Sequence, residues 1–347
     1  MCQFLEDITN QPKVLEDTYQ LYCTSCADRL DPLVTWRKEN PTAPIIFTGM
    51  GSSYYAPQAV TPLLSRNGAF AVVLEAGELY HYGSGGIPPH SLIFAISQSG
   101  ESAETKKVVE TYSGKYPIVA VTNNEESSMA QGADRILPLV AGAEAPASTK
   151  TFVSSILVLH LAAKTLLGQD ITASSEIETV ISGLKTLIPE LKANIDAYLE
   201  FLGGISALQI IGRGPSLPSV YHGALIMKET NAARAEGMAA GTFRHGPLEL
   251  AGPGHRAIVM APSGLTCDLN LNLAQEMAEY GSKVLLLTDQ KVASHRNLQV
   301  VPMPSVAEDL SAMVYIVPLE LLAWNAAIRN GWTPGVPRRV GKVTTRE

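Results

Sequence analysis

Three short apolar runs recur in each half of the chain, separated by polar turns. In the first half they are APIIFTGMG at 43–51, SLIFAISQSG at 91–100 and YPIVAVTNN at 116–124. The second half repeats the plan with ALQIIGRG at 207–214, RAIVMAPSG at 256–264 and SKVLLLTDQ at 282–290. Runs of this length, rich in β-branched residues and ending on Gly, Ser, Asn or Asp, predict strands. The offset between the halves stays near 164, which marks an internal duplication. Each half closes on an apolar segment of helical length, FVSSILVLHLAAKTLL at 152–167 and MVYIVPLELLAWNAAI at 313–328, and Pro318 is expected to kink the second.

Strands that are apolar throughout predict a parallel sheet covered on both faces, because a sheet with one wet face would alternate. The pattern therefore predicts two doubly wound parallel α/β domains, at 37–170 and 204–335. A helical N-terminal extension (1–36), a helical connection (171–203) and a C-terminal tail (336–347) complete the chain. Sheets of this kind bind ligands beyond the carboxyl ends of their strands, where the Gly- and Ser-rich turns fall.

Composition narrows the function. The 347 residues are 46% hydrophobic and 17% charged, as in an ordinary globular chain. A formal charge of −7, with Lys and Arg scattered, leaves no basic footprint, so nucleic acid is not expected as a partner. No uncharged apolar run of about 18 residues is read from the sequence, and the acidic start MCQFLEDITNQP lacks a signal peptide's order. The expectation is a cytoplasmic protein without a membrane partner. Of the four cysteines, Cys23 and Cys26 form the one close pair, read as packed one turn apart on an early helix. No metal or other cofactor is expected.

The turns carry the candidate chemistry. Gly49-Met50-Gly51 resembles a dinucleotide fingerprint, but Tyr54 stands where the third glycine belongs, which argues against nucleotide despite Glu75 at roughly the right distance. Single phosphate fits better. Ser97, Gln98, Ser99 and Ser102 follow a strand and precede a helix, so hydroxyls and free N–H groups at its first turn would converge on one anion. A plain N-cap would use one hydroxyl, not three. Ser52 and Ser53 come from the neighbouring strand end, and the turn Ala147-Ser148-Thr149-Lys150 is expected to add donors from a third side. The second half reads Ala261-Pro262-Ser263-Gly264 at the matching turn, where proline lacks an N–H, so only the first half is expected to hold phosphate.

The stretches GMGSSYYA, AISQSGESAET, APASTKTF and HGALIMKETNAARAEGMAAGTFRHGPLEL resemble the sugar isomerase (SIS) family over nearly the whole chain. The likeness is to the tandem isomerase half of glucosamine-6-phosphate synthase and to its stand-alone isomerase, deaminase and deglycase relatives. The resemblance implies that Ser52, Ser53, Ser97, Gln98, Ser99 and Ser102 hold a sugar phosphate and that Ser148 contacts the sugar. It implies that Glu229 moves a proton between C1 and C2, a task one carboxylate beside a planar enediol can perform. It implies that His245 opens the sugar ring, reaching the site of a neighbouring subunit, and hence a homodimer. Lys342 falls on the family's Schiff-base lysine, and flanking Arg338 and Arg339 would favour its neutral amine.

The chain departs from the synthase at His222 and Ile226, where that pattern has glutamate and lysine. The roughly 40 residues before the first strand lead us to expect no glutaminase domain. The expected substrate is a phosphosugar: an amino-sugar 6-phosphate or fructosamine 6-phosphate undergoing C1–C2 proton transfer with C–N cleavage. The alternatives are a simple aldose–ketose isomerase and a non-catalytic sugar-phosphate sensor.

Overall fold

The computed structural model describes residues 2–83, 85–172 and 174–343. Two parallel sheets organise them. The first contains β1 (Ile45–Gly49), β2 (Ala71–Glu75), β3 (Leu92–Ile96), β4 (Ile118–Thr122) and β5 (Arg135–Pro138), in the order β2-β1-β3-β4-β5. The second contains β6 (Ala207–Gly212), β7 (Arg234–Ala239), β8 (Arg256–Ala261), β9 (Lys283–Thr288) and β10 (Leu298–Pro302), in the order β10-β9-β8-β6-β7. Both orders are the same doubly wound pattern, so the duplication read from the sequence is structural. In each sheet the chain reverses direction across the strand order between its first and third strands, which places a crevice between β1 and β3 and another between β6 and β8.

The six apolar runs are the three central strands of each sheet. The four strands absent from the sequence reading, β2, β5, β7 and β10, are all edge strands. β5, β7 and β10 are each only partly buried and interrupt their apolar residues with polar ones, so they lack the continuous run of a buried parallel strand. β2 is apolar along AVVL yet has no fully buried position, and its run is not among those read as strands.

The helices are α1 (Gln3–Cys23), α2 (Asp31–Glu39), α3 (Ser52–Tyr55), α4 (Thr61–Arg66), α5 (Ala76–Tyr82), α6 (Ala103–Tyr112), α7 (Ser128–Gly132) and α8 (Lys150–Leu166). In the second half they are α9 (Ser175–Leu202), α10 (Leu217–Asn231), α11 (Ala240–Arg244), α12 (Cys267–Glu279), α13 (Ser311–Tyr315) and α14 (Val317–Arg329). The expected break at Pro318 separates α13 from α14, with the proline in the first turn of α14, where its missing N–H costs nothing. Two expectations change. The segment Glu308–Arg329 does have the length and apolarity of a membrane span, but 89% of its apolar window is buried inside the fold. Cys23 and Cys26 do not share a helix: α1 ends at Cys23, and Cys26 is buried in the turn beyond.

The chain forms two compact units, and their membership is not sequential. One gathers residues 13–144 and 150–174 with the chain from Arg339 onward. The other gathers the first twelve residues, Ala145–Thr149 and Ser175–Arg338. Each has its own core between sheet and helices. Ile46, Ile93, Ala95, Val108 and Ile118 centre the first; Ile211, Phe243, Val259, Leu273 and Leu286 centre the second.

Candidate functional site

In the first unit the sequence-predicted serines meet at the β1/β3 crevice. An ideal Cβ on Gly49 would lie 2.7 Å from the carbonyl oxygen of Ile96 and 2.9 Å from that of Ser53. Glycine at the end of β1 thus lets the turn carrying Ser52 and Ser53 lie against the end of β3, where the second serine cluster begins. In that cluster Ser97 Oγ accepts the N–H of Gly100 at 3.1 Å and lies 3.2 Å from Ser102 Oγ. Ser99 Oγ accepts the N–H of Glu101 at 3.1 Å. Ser102 occupies the N-cap position of α6, yet its hydroxyl makes no capping bond. The simple cap explanation therefore does not account for this serine, and the first-turn N–H groups of α6 have no intrahelical partner.

The only acid inside the turn faces away. Glu101 accepts the N–H of Ser128 at 2.7 Å and pairs with Lys106 at 3.1 Å. Those contacts, the Ser128 N–H first, hold its carboxyl below the usual range. A cup of hydroxyls and N–H groups without an inward carboxylate suits a phosphate dianion.

Gly100 makes the turn possible. Its φ is +67°, and an ideal Cβ would sit 1.9 Å from Ser127 Oγ. Its carbonyl accepts the N–H of Met129 at 3.1 Å, so the backbone has little room to yield. Gly100→Ala is expected to destabilise the protein by about 2–4 kcal/mol, the sum of left-handed strain and overpacking. The measurement is the denaturant midpoint at unchanged m-value.

The expected third set of donors is organised differently. The Glu144 side chain is fully buried and accepts the N–H of Thr151 at 3.1 Å, with a second, short hydrogen bond from the Thr151 hydroxyl. This carboxylate sits at the first turn of α8, beside the turn expected to add donors. Lys342 Nζ donates to the Glu144 carbonyl at 2.9 Å and lies 3.6 Å from its carboxylate. Lys342 is thereby placed against the buried Glu144 side chain. Of the two arginines expected to favour a neutral amine, Arg338 stacks on Trp332, 3.9 Å from the ring centroid. The tail beyond residue 343, including Thr344, lies outside the described residues.

In the second unit, Ala145–Thr149 forms a strap fixed at three points. Asp7, fully buried in α1, accepts the N–H of Ala145 at 2.7 Å. The Ala147 N–H donates to the carbonyl of Gly335 at 3.0 Å. His222 Nε2 lies 3.1 Å from the Ser148 carbonyl. His222 is fully buried, and burial pushes its pKa down to about 3, against the smaller pull of this hydrogen bond. It is therefore neutral at working pH, and the carbonyl partner requires the proton on Nε2.

His222, Ile226 and Glu229 follow at i, i+4 and i+7, on one face of α10. The strap thus lies on the helix face that carries Glu229, about 10 Å from it along the axis. Among the described residues the Glu229 carboxylate has no hydrogen-bond or ion-pair partner. Burial alone pushes its pKa up from 4.5 to about 7. A carboxyl that titrates near neutrality and spends no oxygen on the protein is fit both to take and to return a proton.

His245 is exposed and follows α11. Glu229 lies near the C-terminal end of α10, ahead of β7, and His245 follows β7 only after α11. Sequence reasoning missed Asp7 and Glu144. Neither has a local signal, because each earns its place through a partner whose position only folding sets.

Two doubly wound parallel α/β domains in tandem define the class of fold. The SIS domain family pattern matches residues 42–165 and 205–329, and the chain belongs to that family. It is 32% identical to the glutamine–fructose-6-phosphate aminotransferase (isomerizing) of Pyrococcus horikoshii, covering 99% of this chain and 57% of that protein. The corresponding Zymomonas mobilis protein is also 32% identical, with 99% and 58% covered. This chain thus spans somewhat over half the length of those relatives. Among solved structures, the C-terminal domain of glucosamine-fructose-6-phosphate aminotransferase from Francisella tularensis superposes with a TM-score of 0.86 at 24% identity, covering 95% of this chain and 97% of that one. Glucosamine-6-phosphate deaminase from Thermotoga maritima gives 0.77 at 21%, covering 98% and 99%. These structural likenesses carry the fold.

Proposed function

We propose that this chain is a phosphosugar isomerase-type enzyme of the cytoplasm, acting on an amino-sugar 6-phosphate or fructosamine 6-phosphate. C1–C2 proton transfer would be combined with C–N cleavage. The observation that carries the reading is Glu229: partly buried, without a protein partner and titrating near pH 7. The open cup of Ser52, Ser53, Ser97, Gln98, Ser99 and Ser102 supplies the phosphate anchor, and Ser148 a contact to the sugar. Names of the relatives, which pair fructose 6-phosphate with amino transfer and glucosamine 6-phosphate with deamination, support the substrate class.

In this reading Glu229 removes the proton from one carbon and returns it to the other, and its raised pKa keeps both forms populated at neutral pH. His245 exchanges the proton that opens the ring. By the family resemblance His245 is assigned to the site of a second copy, making the enzyme a homodimer. No step is assigned to Lys342 while it rests on Glu144.

A simple aldose–ketose isomerase is the second reading, favoured by the replacement of a charged glutamate and lysine with neutral His222 and buried Ile226 around the reacting nitrogen. Both readings meet one experiment: incubation with glucosamine 6-phosphate and several fructosamine 6-phosphates, assaying ammonia or amine separately from ketose. Release of nitrogen is expected. Ketose formation from a neutral aldose phosphate, without nitrogen release from any amine, would select the second reading, and neither product would remove both.

A further inference from the structure

The duplication invites comparison of the two turns that follow the third strand of each half. Ser99-Gly100 in the first corresponds to Ser263-Gly264 in the second, and the fourth strands end on Thr122-Asn123 and Thr288-Asp289. In the first half Asn123 is neutral and turned to the next loop, accepting the N–H of Ala141 at 2.8 Å and donating to the carbonyl of Gly142 at 2.9 Å. In the second half the matching Asp289 turns into the crevice. Its Oδ1 accepts the Ser263 N–H at 2.9 Å and its Oδ2 the Ser263 hydroxyl at 2.6 Å, while Gln290 Nε2 donates to Oδ1 at 3.2 Å.

A second carboxylate arrives from 44 residues away. Glu308 Oε2 accepts the N–H of Leu265 at 3.3 Å, and an ideal Cβ on Gly264 would lie 2.2 Å from the Glu308 carboxyl carbon. Two main-chain N–H groups and a hydroxyl therefore converge on carboxylate oxygens, as the donors of an oxyanion site converge on a ligand.

We propose that the turn after β8 is a second oxyanion cup that the chain fills with its own Asp289 and Glu308 carboxylates. The design descends from the duplication, and the occupants close it. An external phosphate there would stand against two negative charges already holding the donors. Burial of Asp289 works to raise its pKa, but the hydrogen bonds from Ser263, Ser305 and Gln290 outweigh it, so the occupant stays ionised. The loss of N–H donors through Pro262 is thus one part of the difference between halves, and self-occupation is the other. The protein should take one phosphate per chain, and truncating the occupants should open a second site for inorganic phosphate.

The probe is inorganic phosphate, titrated calorimetrically in a zwitterionic buffer into the intact chain, into Ser99→Asp, and into Ser99→Asp with Asp289→Ala and Glu308→Ala. The expected result is a gain of one phosphate per chain when the two carboxylates are removed, with affinity at least tenfold above that of Ser99→Asp alone. A folded triple variant with no added phosphate site would overturn the proposal. If that variant does not fold, Glu308→Ala alone serves: its thermal midpoint should rise with millimolar phosphate more than that of its parent, and an equal response would overturn the proposal. Failure of the first-cup reading shows separately, as phosphate binding that survives Ser99→Asp.

Discussion

Glu229→Gln is expected to lower turnover by about 10²–10⁴-fold while leaving phosphosugar affinity within a few-fold of the parent. Glutamine keeps the size and polarity of the side chain but cannot carry the proton. The pH profile supplies a sharper signature. Glu229 acts as base only when ionised, so kcat/KM of the parent should rise with pH through about 7 on its acid side. That limb should be missing from the residual activity of the variant. Stability should move in the opposite sense. The folded carboxyl titrates near 7 against an ordinary 4.5, so its contribution is full below pH 4.5 and is lost as pH rises to 7 and beyond. The variant should therefore melt above the parent at pH 8 and together with it near pH 4. Unchanged turnover, with binding retained, would point to a sugar-phosphate sensor instead of an enzyme.

Ser99→Asp is expected to weaken phosphosugar binding by at least a hundredfold without unfolding the chain. Ser99 is partly exposed, and its hydroxyl only accepts the N–H of Glu101, a role an aspartate oxygen can keep. The new charge faces the phosphate. A unit pair about 4 Å apart at an effective dielectric of 20 costs about 4 kcal/mol, well beyond the loss of one neutral hydrogen bond. Calorimetric titration of Ser99→Asp beside Ser99→Ala separates the two contributions, and the alanine variant should lose about tenfold. Equal affinity in parent and Ser99→Asp would return the stretch to an ordinary helix start.

The two predictions draw on different depths of information. The cup was legible in the sequence because its elements are local: a strand, six polar or glycine residues and a helix start lie within a dozen positions. The role of Gly100 was not, because its requirement comes from Ser127, on another turn. The identity of Glu229 came from resemblance, and its titration range came from folding, since desolvation depends on what packs around α10. Ser148 was expected to join the first-half turns as a donor. The structure places it in a strap that packs with the second half, its carbonyl bound to His222 and its neighbours to Asp7 and Gly335. Lys342 was read as an amine made neutral by arginines, and the structure sets it against the buried Glu144.

The sequence by itself determined the duplication, the parallel sheets, their central strands and the serine-rich cup, because each depends on residues that are apolar or polar in an unbroken local pattern. The edge strands β5, β7 and β10 escaped it because half-exposed strands break that pattern with polar residues, and β2 was missed despite its apolar run. Tertiary structure alone decided which carboxylates are occupied and which are free. Glu101 turns outward, Asp289 and Glu308 turn into the second crevice, Glu144 is buried under Lys342, and Glu229 is left without a partner. These acids look alike along the chain. Their charge, exposure and chemistry are set by donors brought to them from distant positions, and only the folded chain fixes those distances.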